Sequence, residues 1–230
     1  MALPKKRSSV ETNHLKHSYL IYGDAKVGKS TLASKFGDDE HDKVLFFATE
    51  AGHKFLSIYK WETEKGKAPT TWEHFLQCLN EFAKDDDFKC LVVDTASHLV
   101  TWCIQYVLTQ RDVKDESEGQ YGDVFRRITR EFKRVINQLG QLNKGIIFIA
   151  HEAPKKKEDD LTYPDLPEKY ENLFLGLVDY IFYCYVDFEG NRHIRTKGNH
   201  RVVAGDRSGR LPEVMPMDAE ILINQLRKGE

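Results

Sequence analysis

Gly23-Asp24-Ala25-Lys26-Val27-Gly28-Lys29-Ser30-Thr31 decides the reading of this chain, because it fits the phosphate-binding P-loop pattern without a gap. Its flanks fit as well. His17 to Tyr22 reads as a short buried strand entering the loop, and Thr31 to Phe36 reads as the first turns of a helix leaving it. Gly23 and Gly28 let the backbone aim its N–H groups at phosphates, and the helix N-terminus adds a favourable dipole. In that geometry Lys29 reaches the β- and γ-phosphates of a nucleoside triphosphate and the Ser30 hydroxyl ligates Mg²⁺. A glycine-rich turn with a solvated lysine is the competing reading, and the strand–loop–helix context weighs against it. ATP with Mg²⁺ is the expected ligand pair.

Beyond the loop, apolar runs of strand length recur: Lys43 to Ala48, Cys90 to Asp94 and Gly145 to Ala150. One-sided helical patterns lie between them. Trp72–Lys84 carries Trp72, Phe75, Leu76, Leu79, Phe82 and Ala83 near a 3.6 period, and a further helical stretch runs from about Ser97 to Leu108. Asp123 to Leu142 places Phe125, Ile128, Phe132, Val135, Ile136 and Leu139 on one face. The polar stretches Gln110–Gly122 and His151–Glu168 read as loops, Leu177–Val186 and Asn191–Thr196 as a strand pair, and Ala219–Lys228 as a closing helix. Strands apolar on both faces that alternate with helices predict an α/β fold with three layers: a mostly parallel central sheet with helices on both faces.

The 230 residues suit one such domain over residues 17–230, preceded by a flexible tail over residues 1–16 with a basic triplet at Lys5-Lys6-Arg7. A net charge of −2 neither requires nor excludes nucleic acid, since a local basic strip can sit within a near-neutral total. Cys78, Cys90, Cys103 and Cys184 are scattered, without a CxxC or histidines at ligand spacing, and read as reduced core residues of a cytosolic protein. The N-terminus lacks the apolar stretch of a signal peptide, and no apolar run is long enough to span a membrane.

Three further residues complete the expected site. Leu91-Val92-Val93-Asp94 has the form of a Walker B strand, so Asp94 holds Mg²⁺ opposite Ser30. The residue after it is Thr95 and not a glutamate, so the base that activates water comes from elsewhere. Glu50, two residues past the second strand, lies on the sheet edge where ligands bind in open α/β folds and is the candidate base. A helix-terminal glutamate satisfied by backbone amides is the alternative. His151 ends the next strand on that edge, where a polar side chain senses the γ-phosphate or merely caps the strand.

These elements, in this order, resemble the RecA-type core ATPases, and most closely the small phage nucleotide-binding proteins grouped with single-strand-annealing recombinases (the Sak-type ATPases). The likeness rests on Tyr22 to Thr31, Thr49-Glu50-Ala51-Gly52-His53-Lys54, Val92-Val93-Asp94-Thr95, Ile149-Ala150-His151-Glu152 and Gly205-Asp206-Arg207-Ser208-Gly209-Arg210-Leu211-Pro212. It implies a RecA-like P-loop core and a homo-oligomer or filament in which a basic residue of one subunit reaches its neighbour's γ-phosphate. Arg207 is the first candidate for that trans finger, with Lys197 and Arg201 next. The same basic segment suits DNA phosphates, so the two roles compete for it. The resemblance also implies that the loop after His151 holds single-stranded DNA, with Lys155, Lys156 and Lys157 on phosphates and Tyr163 stacked on a base. The acids at Glu158-Asp159-Asp160 make a self-neutralising loop the other reading. Residues 1–16 are too short to match the polymerisation appendage of full-length RecA proteins, a departure from the family pattern.

The expected function is an ATP-dependent, single-stranded-DNA-binding recombination ATPase of phage type, DNA-stimulated, acting in the bacterial host cytoplasm with a single-strand-binding protein as a candidate partner. A nucleotide-dependent loader or assembly switch acting on a protein partner in phage DNA replication is the alternative. A nucleotide kinase is disfavoured, because no arginine-rich lid is evident and Glu50 suits water activation.

Overall fold

A computed structural model of the protein describes residues 10–38, 40–50, 52–115, 117, 122–154 and 161–228. Among these residues, the centre is a nine-stranded sheet in the order β3-β2-β4-β5-β1-β6-β7-β9, with β8 also paired to β6. The strands are β1 (Ser18–Gly23), β2 (Lys43–Ala48), β3 (Tyr59–Lys60), β4 (Phe88–Asp94), β5 (Gly145–His151), β6 (Tyr180–Val186), β7 (Arg192–Arg195), β8 (Gly205–Asp206) and β9 (Val214–Pro216). From β3 across to β6 all neighbours are parallel, and β7, β8 and β9 pair antiparallel.

Alternate residues of these strands feed two separate cores, which is why the strands read as continuous apolar runs. One face, carrying Leu20, Tyr22, Phe47, Val93 and Phe148, lies under α2 (Trp72–Lys84), α3 (Ala96–Arg111), α4 (Asp123–Gln141) and α5 (Glu168–Leu177). The other, carrying Tyr19, Ile21, Phe46, Val92 and Ile149, lies under α1 (Lys29–Ser34) and α6 (Ala219–Arg227). The expected three-layer arrangement is therefore present. Thr71 starts α2 by accepting from the His74 N–H at 3.3 Å, and Asp218 starts α6 by accepting from Ile221 at 3.0 Å. The four cysteines are free and buried, as expected for reduced core residues, and burial raises each thiol above its ordinary range. Among the described residues no helix is long and apolar enough to cross a membrane.

The structure departs from the sequence reading in four places. The tail expected over residues 1–16 gives way to packed structure before its end. His14 and Leu15 are buried, and His14 bonds the Phe36 carbonyl through Nε2 at 2.7 Å. Phe125, expected on the buried face of α4, stands 37% exposed, and Val124 takes the core position. Helix α5 fills the gap between the expected loop, which ends at Glu168, and the expected strand, which begins at Leu177, where no element was expected. Its apolar residues run straight into those of β6, and Asp179 is the break, its N–H bonded to the Ser18 carbonyl at 2.9 Å. The short edge pieces β3, β8 and β9 carry too few residues to show a period.

Helix α4 is seated by Phe132, whose ring centroid lies 5.2 Å from those of both Trp72 and Phe174. Phe132→Ala is expected to lower stability by about 3–5 kcal/mol, read as a lower midpoint of denaturant unfolding.

Candidate functional site

The parallel register delivers the site. Ala48 pairs with Asp94, Asp94 with Ile149, and Gly23 with His151, so β2 and β4 end together and β5 and β1 end together two residues farther on, all at one edge. A P-loop leaves β1 at that edge. Gly23 has φ 148°, and a Cβ there would sit 2.0 Å from the Cys184 carbonyl oxygen, so only glycine fits. Gly28, at φ 111°, turns the chain into α1. Lys29 is only 6% exposed and its ammonium donates to the carbonyls of Gly23 at 2.8 Å and Asp24 at 2.7 Å. Burial holds that ammonium below the usual lysine range. The loop thus holds a cation at its mouth on neutral carbonyls, ready for an anion of higher charge.

Beside it, the Ser30 hydroxyl donates to Asp94 Oδ2 at 2.6 Å. His53 Nε2 donates to the same oxygen at 2.8 Å, and its Nδ1 lies 3.2 Å from the Glu50 carbonyl oxygen. Both ring nitrogens face acceptors, which suits the doubly protonated ring. The bond to Asp94 accordingly lifts His53 above the ordinary histidine range. A hydroxyl and a buried carboxylate side by side suit Mg²⁺, which takes one or two protein oxygens and completes its shell with phosphates and water. The described residues offer no group of three or more His, Cys, Asp or Glu that would hold a metal by itself. Ser30 and Asp94 therefore fit Mg²⁺ brought with a nucleotide.

The Glu50 carboxylate forms the third part. Its Oε1 accepts from the Thr95 hydroxyl at 3.2 Å and lies 3.6 Å from His151 Nε2. Thr49 ties this turn to β4: its N–H donates to the Asp94 carbonyl at 2.7 Å, and its hydroxyl oxygen accepts from the Thr95 N–H at 2.7 Å. The structure thus brings Lys29, Ser30, Glu50, Asp94 and His151 together at one edge.

A family model for AAA domains, AAA_24, matches residues 15–208. The chain belongs to the AAA domain family. The chain is accordingly a P-loop ATPase, and the P-loop edge is its candidate nucleotide site. No curated protein matches the chain. Among solved structures it is similar to a KaiC-like protein of the hyperthermophilic archaeon Pyrococcus horikoshii OT3, at 14% identity over 78% of this chain and 77% of that one, with a TM-score of 0.46. It is also similar to the RadB recombinase, at 16% identity over 78% and 80% of the two chains, with a TM-score of 0.49.

The remaining candidates of this AAA domain sit elsewhere. Arg207 donates to Asp179 Oδ1 at 3.3 Å and to the Gly176 carbonyl at 3.2 Å. Asp179 also bonds Ser18, the first residue of β1, so Arg207 stands at the edge opposite the P-loop. Lys197 and Arg201 are exposed after β7. Tyr163 is half-buried near Arg201, because Thr162 donates to the Arg201 carbonyl at 2.7 Å. Tyr22 anchors this pair of segments, its hydroxyl 2.5 Å from the Val203 carbonyl and 3.2 Å from that of Thr162. Lys155, Lys156 and Lys157 lie outside the described residues. Sequence reasoning missed His53, Thr49 and Thr95 as parts of the site. The signal for His53 was its place three residues past Glu50, within the turn that follows β2.

Lys29→Ala is expected to abolish tight ATP binding, whereas Glu50→Gln keeps binding and loses turnover by about 10²–10⁴-fold. Equilibrium titration with a fluorescent ATP analogue, beside single-turnover hydrolysis, separates the two effects.

Proposed function

We propose that the chain is an ATP-dependent, single-stranded-DNA-binding recombination or annealing ATPase that hydrolyses ATP with Mg²⁺ in a RecA-like assembly. One observation carries the hydrolytic part: the Glu50 carboxylate, held by Thr95 and beside His151, lies on the strand edge that also bears Lys29, Ser30 and Asp94. In this reading Lys29 binds the β- and γ-phosphates, and Ser30 and Asp94 hold Mg²⁺. The metal, when bound, neutralises phosphate charge. Glu50 orients the attacking water and accepts its proton. His151, in reach of Glu50, links that carboxylate to the loop after β5.

Assembly is supported by Arg207. Standing at the far edge of its own sheet, it is suited to a neighbour's nucleotide and not to its own, as a trans finger in a head-to-tail arrangement is. DNA binding draws support from Tyr163 and Arg201, brought near one another, which offer a ring for a base and a cation for a phosphate. On this reading the protein works in the cytoplasm of a phage-infected bacterium beside a single-strand-binding protein.

The second reading, a nucleotide-dependent loader or switch acting on a protein partner, is favoured by local charge pairing. Arg195 bonds Glu213 at 2.5 Å and Arg207 bonds Asp179 at 3.3 Å, which leaves fewer C-terminal cations for phosphates.

Steady-state ATPase activity with and without a single-stranded oligonucleotide, across a salt series, decides between them. Strong stimulation that weakens steeply with salt is expected, because phosphate binding releases counterions. Activity indifferent to DNA would favour the switch. Arg207→Ala alone is expected to lower hydrolysis under assembly conditions. Mixing it with Lys29→Ala restores part of the activity if the finger acts in trans, and no recovery means a role within its own chain.

A further inference from the structure

Helix α4 carries five basic residues, Arg126, Arg127, Arg130, Lys133 and Arg134, against two acidic ones, Asp123 and Glu131. Two of the five are neutralised. Asp123 Oδ2 accepts from Arg127 at 3.0 Å, and also from Arg111 of α3 at 2.8 Å. Glu131 accepts from Arg134 at 2.7 Å. Arg126, Arg130 and Lys133 are exposed and form no ion pair among the described residues. They recur at i, i+4 and i+7 on the side of the helix opposite its buried stripe of Val124, Ile128, Phe132, Val135 and Leu139. Successive cations on this crest are therefore separated along the axis by about 6 Å and then about 4.5 Å.

Beside the crest lies a groove of about 190 Å³ between α3 and α4, lined by Tyr106, Gln110, Arg111, Arg127, Arg130 and Glu131. Arg130 belongs to both crest and groove. The ring of Tyr106 and the amide of Gln110 give the groove a stacking surface and a hydrogen-bonding group beside a row of cations. An extended single strand presents the matching chemistry: a phosphate at each step and a flat base beside it. An acidic helix or loop of a protein would match the charges alone. It would also want apolar contact along the crest, where Arg126, Arg130 and Lys133 offer only stems and charged heads.

We propose that the α4 crest and the adjoining α3–α4 groove form a site for single-stranded nucleic acid, with phosphates on Arg126, Arg130 and Lys133 and a base in the groove. The proposal rests on the DNA-binding reading above and moves its main binding surface from the C-terminal basic segment to α4.

The test is fluorescence anisotropy of a labelled oligothymidylate with the full chain, over a salt series, for the wild type and an Arg126→Ala/Arg130→Ala variant. Both side chains are exposed and outside the α4 packing, so the variant is expected to melt as the wild type does. Binding should weaken about tenfold, and the slope of log K against log salt should fall by about 0.7 for each phosphate the variant no longer neutralises. Unchanged affinity and slope in the variant overturn this site and leave the DNA reading standing. Wild-type protein that binds no oligonucleotide overturns both. Retention of polyglutamate through the same two arginines, in place of DNA, assigns the surface to an acidic protein and likewise overturns the proposal.

Discussion

Four parallel strands end within two residues of one another at one edge, and the whole candidate nucleotide site depends on that register. Side chains alternate along a strand, so a slip of one residue between β4 and its neighbours would turn Asp94 to the other face of the sheet. The same slip would part Thr95 from Glu50 and leave Ser30 without its carboxylate. Two different cores are each packed by alternate residues of the same strands, so the fit of particular side chains on both faces holds the register. Packing that looks purely structural thereby fixes the separation of the candidate catalytic groups.

Electrostatics follow from the same edge. A buried ammonium and a buried carboxylate each carry a desolvation cost that must be offset locally. Lys29 is offset by two backbone carbonyls, and Asp94 by a hydroxyl and an imidazole. Neither charge leans mainly on the other, so each is free to exchange its present partners for those of a bound nucleotide.

Much of this was legible in the sequence, and the reasons are local. The P-loop has its own pattern, and the strands bearing Ala48, Asp94 and His151 are short apolar runs that finish at a predictable edge, with a polar residue at or just past their ends. Trp72 to Lys84 and Asp123 to Leu142 showed helical periods because each buries a single stripe. What escaped was set by tertiary contact. Helix α5 was hidden because its apolar residues merge with those of β6. His53 was hidden because its role comes from Asp94, a partner 41 positions distant. The position of Arg207 at the opposite edge depends on Asp179 and on how β8 folds back along β6, which no local pattern records.

The ends of the sheet carry a consequence of their own. On one side it closes with the two residues of β3, and on the other with the three of β9, of which Pro216 has no N–H to offer. Edges this short, one of them missing a donor, give an incoming strand almost nothing to pair with. Any contact between copies of this chain would therefore have to use side-chain surfaces rather than extend the sheet. Backbone pairing would then stay within the chain, and a side-chain contact is the kind that can part without breaking the sheet.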